Sequence, residues 1–271
     1  MFGTNRTEWE VLHDGNRRDT VATMTSILIT GASSGIGEAL ALEHAGPGTV
    51  LHLSGRDQDR LTMVAEACRN RGATVDARKI DVADRAAMRA WIQTADDAAP
   101  LTRVIANAGI AGDGGEDAAR RIFDVNLTGV LNTIHPALDR MTARRSGTIA
   151  IVSSIAGNRG FPSAPAYSAS KAAVLAYGEA LRGRLTNSGV TVCVVCPGFV
   201  KSRITDANDF PMPFLMEADK AARIVRHGLD RGTAKISFPW QMRLAGWFFR
   251  ALPSGLGTRI LSRLPEKNST R

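Results

Sequence analysis

Tyr167 and Lys171 stand four residues apart in the helix-prone run Tyr167-Ser168-Ala169-Ser170-Lys171-Ala172-Ala173-Val174-Leu175. That spacing is one helical turn, so the two side chains share a face. A phenol with a reference pKa of about 10 is a poor proton carrier near neutrality, and a cation one turn away favours its phenolate and lowers that pKa. The pair is a candidate proton carrier, although such pairs also occur by chance on many helices. A second group of residues has the chemistry to hold an anion. Thr30-Gly31-Ala32-Ser33-Ser34-Gly35-Ile36-Gly37 follows the apolar run Ile27, Leu28, Ile29 and opens into Glu38-Ala39-Leu40-Ala41-Leu42. The first backbone N–H groups of a helix have no intrahelical partner and carry partial positive charge, so a turn without Cβ atoms lets a pyrophosphate settle against them. The stretch from Gly31 through Ser33, Ser34, Gly35 and Ile36 to Gly37 reads as a dinucleotide cradle. Its spacing, T-G-x-x-x-G-x-G, differs from the G-x-G-x-x-G form of such turns. A tight turn after a buried strand would look much the same.

Strands and helices alternate along the chain and place these groups at strand ends. Thr49-Val50-Leu51-His52-Leu53 reads as a second strand, followed by Ser54-Gly55-Arg56-Asp57 and a helix to about Cys68. Further strands are expected at residues 74–80, 104–106, 148–152 and 234–238, with another ending at Pro197-Gly198. Long helical segments are expected from about Asp117 to Met141 and about Glu217 to Arg231. The fold class predicted is α/β, a single Rossmann-like, doubly wound, mainly parallel sheet with helices on both faces, plus a C-terminal helical extension. Residues 1–23 read as a flexible extension, with Met24 a second candidate start, residues 24–238 as the nucleotide-binding domain and residues 239–271 as a tail.

Composition narrows the classes of function. A chain of 271 residues with 44% hydrophobic content is long enough for one large domain, and it contains no internal repeat or low-complexity linker. No apolar run approaches the roughly 20 residues needed to span a bilayer, and the N-terminus lacks the order of a signal peptide, so a soluble, cytoplasmic protein is expected. Cys193 and Cys196, though spaced C-x-x-C, lie in the strand-like run Val190-Thr191-Val192-Cys193-Val194-Val195-Cys196 and would point to opposite faces. No metal site is expected. The formal charge of +8 gathers partly in the tail, at Arg243, Arg250, Arg259, Arg263, Lys267 and Arg271. No lysine-rich block or ladder of aromatic residues accompanies it, which argues against nucleic acid as a partner.

The residues taken together resemble the short-chain dehydrogenase/reductase family over residues 25–238. Ser154 lies thirteen residues before Tyr167, Asn126 further upstream, and the glycine turn at the first strand, in the family's order. The resemblance implies catalysis by Asn126, Ser154, Tyr167 and Lys171. Tyr167 would give or take the proton of a carbonyl or alcohol oxygen that Ser154 hydrogen-bonds. Lys171 would lower the tyrosine pKa and hold the nicotinamide ribose, and Asn126 would anchor a water leading to bulk. It also implies that Asp81 and Val82 meet the adenine, although Asp81 reads equally as a helix N-cap. Asn107, Ala108 and Gly109 would pack on the cofactor. Pro197, Gly198, Val200 and Ser202 would hold the nicotinamide amide, with Ser202 where threonine is usual. Arg56, just past the second strand where an acid would select NAD, suits the 2′-phosphate of NADP(H). A small apolar carbonyl or alcohol is the implied substrate. The alternatives are reduction of ketoacyl groups on an acidic carrier, or a non-catalytic nucleotide-binding or membrane-associated protein on the same fold.

Two apolar segments are left over. Phe210, Pro211, Met212, Pro213, Phe214, Leu215 and Met216 suggest either a ligand wall or a core-packing loop. The tail carries Met242, Leu244, Ala245, Trp247, Phe248, Phe249, Ala251 and Leu252, with polar ground only near Arg243 and Arg250. Pro253, Ser254, Gly255 and Gly257 are expected to break this helix, after which Arg259 and Arg263 share a face beside Ile260, Leu261 and Leu264. A helix so widely apolar should bury most of its girth: as a lid over the substrate, against a second subunit, or in a membrane surface as a peripheral contact. The tail displaces the short ending used in the family's tetramers, so a homodimer is expected.

Overall fold

The computed structural model describes residues 24–112, 115–206 and 211–262. The expected N-terminal extension, and Phe210, Arg263, Leu264, Lys267 and Arg271, lie outside the described residues.

The strands are β1 (Thr25–Thr30), β2 (Thr49–Gly55), β3 (Thr74–Lys79), β4 (Arg103–Ala106), β5 (Gly147–Val152), β6 (Val190–Pro197) and β7 (Lys235–Phe238). The helices are α1 (Gly35–His44), α2 (Gln58–Asn70), α3 (Arg85–Ala98), α4 (Gly115–Phe123), α5 (Gly129–Ala143), α6 (Pro165–Arg184), α7 (Arg203–Asp206), α8 (Ala218–Asp230), α9 (Trp240–Ala251) and α10 (Ser254–Leu261). The strands form one seven-stranded sheet in the order β3-β2-β1-β4-β5-β6-β7. Every neighbouring pair is parallel. After β3 the chain returns to the other side of β1, so a topological switch lies between β1 and β4, the place where open parallel sheets bind ligands beyond their strand ends.

Side-chain alternation along the strands builds two cores. On β1, Ile27 and Ile29 pack with Leu40 of α1, Leu61 and Val64 of α2, and Val225 of α8. Leu28 faces the other way, toward Trp91 of α3, Ile134 of α5 and Val174 of α6. Cys193 joins the first core, whereas Cys196 packs with Leu175 and Val194 on the other side. All three thiols are free and buried. Burial raises the Cys68 thiol to about 11 and pushes Cys193 and Cys196 up as well, which leaves them poor nucleophiles and poor metal ligands.

Two local features shape the site. The helical segment expected through Met141 contains a π-helical turn, Asp124–Thr128, between α4 and α5; such turns widen the coil and re-aim side chains. The cap of α3 is Asp84, whose Oδ1 accepts from Ala86 N and Ala87 N, both at 3.0 Å. Asp81 is therefore not the cap.

The tail departs from its expected course. Only Leu252 and Pro253 interrupt the helix, and α10 begins at once despite Gly255 and Gly257. Gly257 makes room where it stands: a Cβ there would lie 2.3 Å from Cζ of Arg159, so the guanidinium would have to shift. Nor does α9 bury its girth: Trp240, Leu244, Trp247 and Phe248 are each more than half exposed.

Candidate active site

Lys171 projects from α6 into the protein, is 3% exposed, and donates from Nζ to Val152 O at 3.0 Å. Burial lowers its pKa to about 8. The ammonium lies 5.8 Å from the centroid of the Tyr167 ring, within the range of a cation–π contact. Burial raises the pKa of the Tyr167 hydroxyl, and its hydrogen bond with Ser154 opposes that rise. The expectation that Lys171 brings this pKa below its usual value is not met here. The lysine acts on the face of the ring, while the low-dielectric surroundings disfavour the phenolate.

Ser154 follows the end of β5. Its Oγ accepts from Ala156 N at 3.1 Å, capping a short 3₁₀ turn (Ile155–Asn158), and reaches Pro197 O at 3.5 Å. The serine thus ties together the ends of β5 and β6 beside the tyrosine.

Asn126, on the π-turn, is fully buried. Its Oδ1 accepts from Ile110 N at 2.8 Å, and its Nδ2 donates to Ile110 O at 2.9 Å and Ser170 Oγ at 3.1 Å. Ser170 Oγ in turn donates to Tyr167 O at 2.7 Å. The carboxamide is thus engaged by protein groups and locks the segment after β4 onto α6. A Cβ on Gly109 would stand 3.2 Å from Lys171 Nζ and 3.4 Å from Asn126 Oδ1, so that segment passes directly over the lysine.

The glycine turn is closely built. Gly31 and Gly35 have φ of +68° and +59°, where other residues are strained. A Cβ on Gly31 would lie 2.8 Å from Ala108 Cα, and one on Gly35 2.8 Å from Ser202 Cβ. Ser33 fills the hollow above Gly55, where a Cβ would stand 2.9 Å from Ser33 Cβ. Thr30 Oγ1 accepts from Asn107 N and Ala108 N, each at 3.2 Å, and Asn107 Nδ2 donates to Thr30 O at 3.0 Å and Gly31 O at 3.2 Å. The turn after β6 closes the other wall. Gly198 N donates to Phe238 O at 2.8 Å, Val200 is buried and bridges Met216, and Ser202 N donates to Thr205 Oγ1 at 2.8 Å. Ser34 at the start of α1 makes no side-chain cap. The helix N-terminus therefore presents its first donors to the crevice, as a pyrophosphate requires.

At the β2 and β3 ends, Arg56 is exposed and its charge reaches Asp81. Asp81 accepts from Ala83 N at 3.0 Å and pairs with Arg121 of α4. Burial would raise the Asp81 pKa, but the Ala83 N–H and the Arg121 guanidinium outweigh it and hold the carboxyl below its usual range. Val82 is buried in the second core. Among the described residues no group of three or more His, Cys, Asp or Glu side chains is placed to hold a metal ion.

A sequence model of short chain dehydrogenases matches residues 25–210. The chain belongs to the short-chain dehydrogenase/reductase family. It is 39% identical over 243 residues to an uncharacterized oxidoreductase of Myxococcus xanthus, covering 88% of this chain and 96% of that one. A putative ketoacyl reductase of the granaticin polyketide synthase of Streptomyces violaceoruber is 37% identical over 187 residues, 66% of this chain and 69% of its own length. Among solved structures, a short-chain dehydrogenase from Sphingobium yanoikuyae in complex with NADPH superposes with a TM-score of 0.74 at 28% identity, covering 89% of this chain and 96% of that one.

For a short-chain dehydrogenase/reductase, an NAD(P)-dependent oxidoreductase of C=O and CH–OH groups, the crevice fits its cofactor. The glycine turn leaves room that a Cβ would fill, and an uncapped helix start faces it. Several residues that support the site were not among those expected from the sequence. Thr30 was visible inside the glycine motif. Ile110, which holds Asn126 by its backbone, and Arg121, which pairs with Asp81 across forty residues, left no local signal.

The buried lysine of this dehydrogenase/reductase is expected to make stability depend on pH. Its folded pKa, about 8, lies below the unfolded value of 10.5. Between the two, the unfolded chain binds more protons, so stability rises as pH rises through that window. Urea midpoints measured from pH 7 to about 8.5, below the range in which the raised Cys68, Cys193 and Cys196 thiols lower stability as they ionise in the unfolded chain, should show this rise, and Lys171→Met should flatten it while leaving the protein as stable or more stable at pH 7. A rise of equal size in Lys171→Met would mean that another group causes it.

Proposed function

We propose that the protein is an NADPH-dependent reductase of apolar ketones or aldehydes, with Tyr167 as proton donor. The observation that carries this reading is the Tyr167–Ser154 hydroxyl pair beside the buried Lys171, at the strand ends that also carry the glycine turn. When bound, the nicotinamide supplies hydride to the carbonyl carbon. Gly31 to Gly37 would hold the pyrophosphate, Asp81 and Val82 the adenine, Asn107 to Gly109 and Lys171 the ribose side, and Pro197 to Ser202 the amide. Ser154 Oγ orients the carbonyl oxygen, and Tyr167 Oη delivers its proton. Tyr167, whose pKa burial raises, carries its proton at neutral pH, as a proton donor must.

Arg56 carries the cofactor choice. It is exposed past β2, with no acidic residue at Gly55 to meet a ribose 2′-OH. A charge-assisted contact to a 2′-phosphate is worth about 1.5–3 kcal/mol, roughly ten- to a hundredfold. Arg56→Glu should erase a preference of that size in kcat/KM for NADPH over NADH. A wild-type enzyme that prefers NADH would refute the assignment.

A second reading, reduction of ketoacyl groups on an acidic carrier, is favoured by the ketoacyl reductase relative and by the +8 charge. Turnover of both cofactors against a panel of free ketones, aldehydes and alcohols, a β-ketoacyl thioester and the same group on carrier protein decides between them. Turnover only on the carrier would select the second reading, and turnover of none would remove both.

A further inference from the structure

The outer face of α9 is inverted relative to a helix packed on a water-soluble protein. Trp240, Arg243, Leu244, Trp247, Phe248 and Ala251 are all exposed, at the i, i+3, i+4, i+7, i+8, i+11 spacing of one helical face. The largest exposures are Trp247 at 70% and Trp240 at 63%. The opposite face is docked. A Cβ on Gly198 would meet Met242 Sδ at 2.5 Å, and one on Gly246 would meet Asn158 Nδ2 at 2.9 Å. The helix is thus fixed on the body with its aromatic side outward. On α10, Leu256, Arg259 and Ile260 are exposed as well.

We propose that this face docks on an anionic lipid surface. The charge pattern selects that occupant. Between Asp230 and Glu266 the chain contains no acidic residue, while Arg231, Lys235, Arg243, Arg250, Arg259 and Arg263 all fall in the interval. A two-fold interface would set this face against itself and bring arginines together with no carboxylate on α9 or α10 to answer them. Anionic headgroups answer them without such a partner, and tryptophans are suited to the boundary between headgroup and acyl chain. The helix lies in the surface and does not cross it. At 12 residues it is about 18 Å long, and no helix among the described residues is long and apolar enough to span.

The inference goes beyond the reductase reading and stands or falls separately from it. The test is co-sedimentation of the full-length protein with vesicles of phosphatidylcholine alone and of phosphatidylcholine with phosphatidylglycerol. Binding is expected only to the second and should weaken with salt. Arg243→Gln with Arg250→Gln should lower it roughly thirtyfold, since each surface arginine contributes about 1 kcal/mol. Trp247→Ser with Phe248→Ser should abolish it with the melting temperature unchanged, because these side chains face solvent. Arg85→Gln with Arg89→Gln on α3 should leave it intact. No binding to either vesicle, or equal binding to both, overturns the proposal. So does a dimer in light scattering that the Trp247/Phe248 variant breaks in a protein that ignores vesicles, which would assign the face to a second copy.

Discussion

Replacing Tyr167 by Phe is expected to lower turnover by roughly a hundred- to ten-thousandfold, the range contributed by a positioned acid or base. The ring stays against Lys171, and only the hydroxyl that pairs with Ser154 is lost. Dinucleotide binding should change little, since the glycine turn, Arg56 and the turn after β6 are untouched. The measurement is kcat on a verified substrate beside a cofactor titration by fluorescence. A variant that keeps near-wild-type kcat would remove Tyr167 from the chemistry.

Gly37→Ala should fail in the opposite order, losing the dinucleotide before the chemistry is reached. A methyl group there would lie 2.1 Å from Gly31 O and 2.5 Å from Asn107 Nδ2, so the backbone of the turn has to move and the Asn107–Gly31 hydrogen bond breaks. Overpacking of this kind costs about 1–3 kcal/mol of stability and sometimes more. Cofactor affinity should fall at least tenfold, because the same movement displaces the groups that receive the pyrophosphate. Gly46→Ala is the matched control. Nothing lies within 4 Å of a Cβ built on Gly46, and its melting temperature and affinity should match wild type. If Gly37→Ala bound dinucleotide normally, the turn would not be the cradle.

The elements of this fold were legible because their signals are local. A continuous apolar run such as Ile27, Leu28 and Ile29 marks a strand buried on both faces, and the glycines at 31, 35 and 37 mark a turn that must come close to other backbone. Tyr167 and Lys171 were legible for the same reason, as helical neighbours. What the sequence withheld was pairing at a distance. Nothing near Asp81 announces Arg121, and the Asn126 carboxamide is engaged by Ile110 and Ser170 across a π-turn whose extra residue leaves the apolar pattern undisturbed. The tail misled through a sound rule applied to the wrong boundary. Apolar residues imply burial, and α9 meets that demand on one face only. Gly257 was read as a breaker, whereas its missing side chain makes room for the Arg159 guanidinium.

That guanidinium joins two parts of the molecule that are far apart in sequence. Arg159 stands just past the 3₁₀ turn that Ser154 caps, and its Nη1 donates to Phe249 O at 2.6 Å and Leu252 O at 2.8 Å at the C-terminal end of α9. A cation placed there completes the last helical carbonyls and answers the negative pole of the helix. The loop leading to Tyr167 and the tail are therefore expected to open together rather than as independent flaps. In hydrogen exchange, amides of the segment between Ser154 and Tyr167 should share an opening free energy with those of α9, and releasing either one should quicken exchange in the other. Coupling of this kind is reciprocal: whatever grips the tail should firm the loop beside Tyr167, and whatever fills that loop should steady the tail.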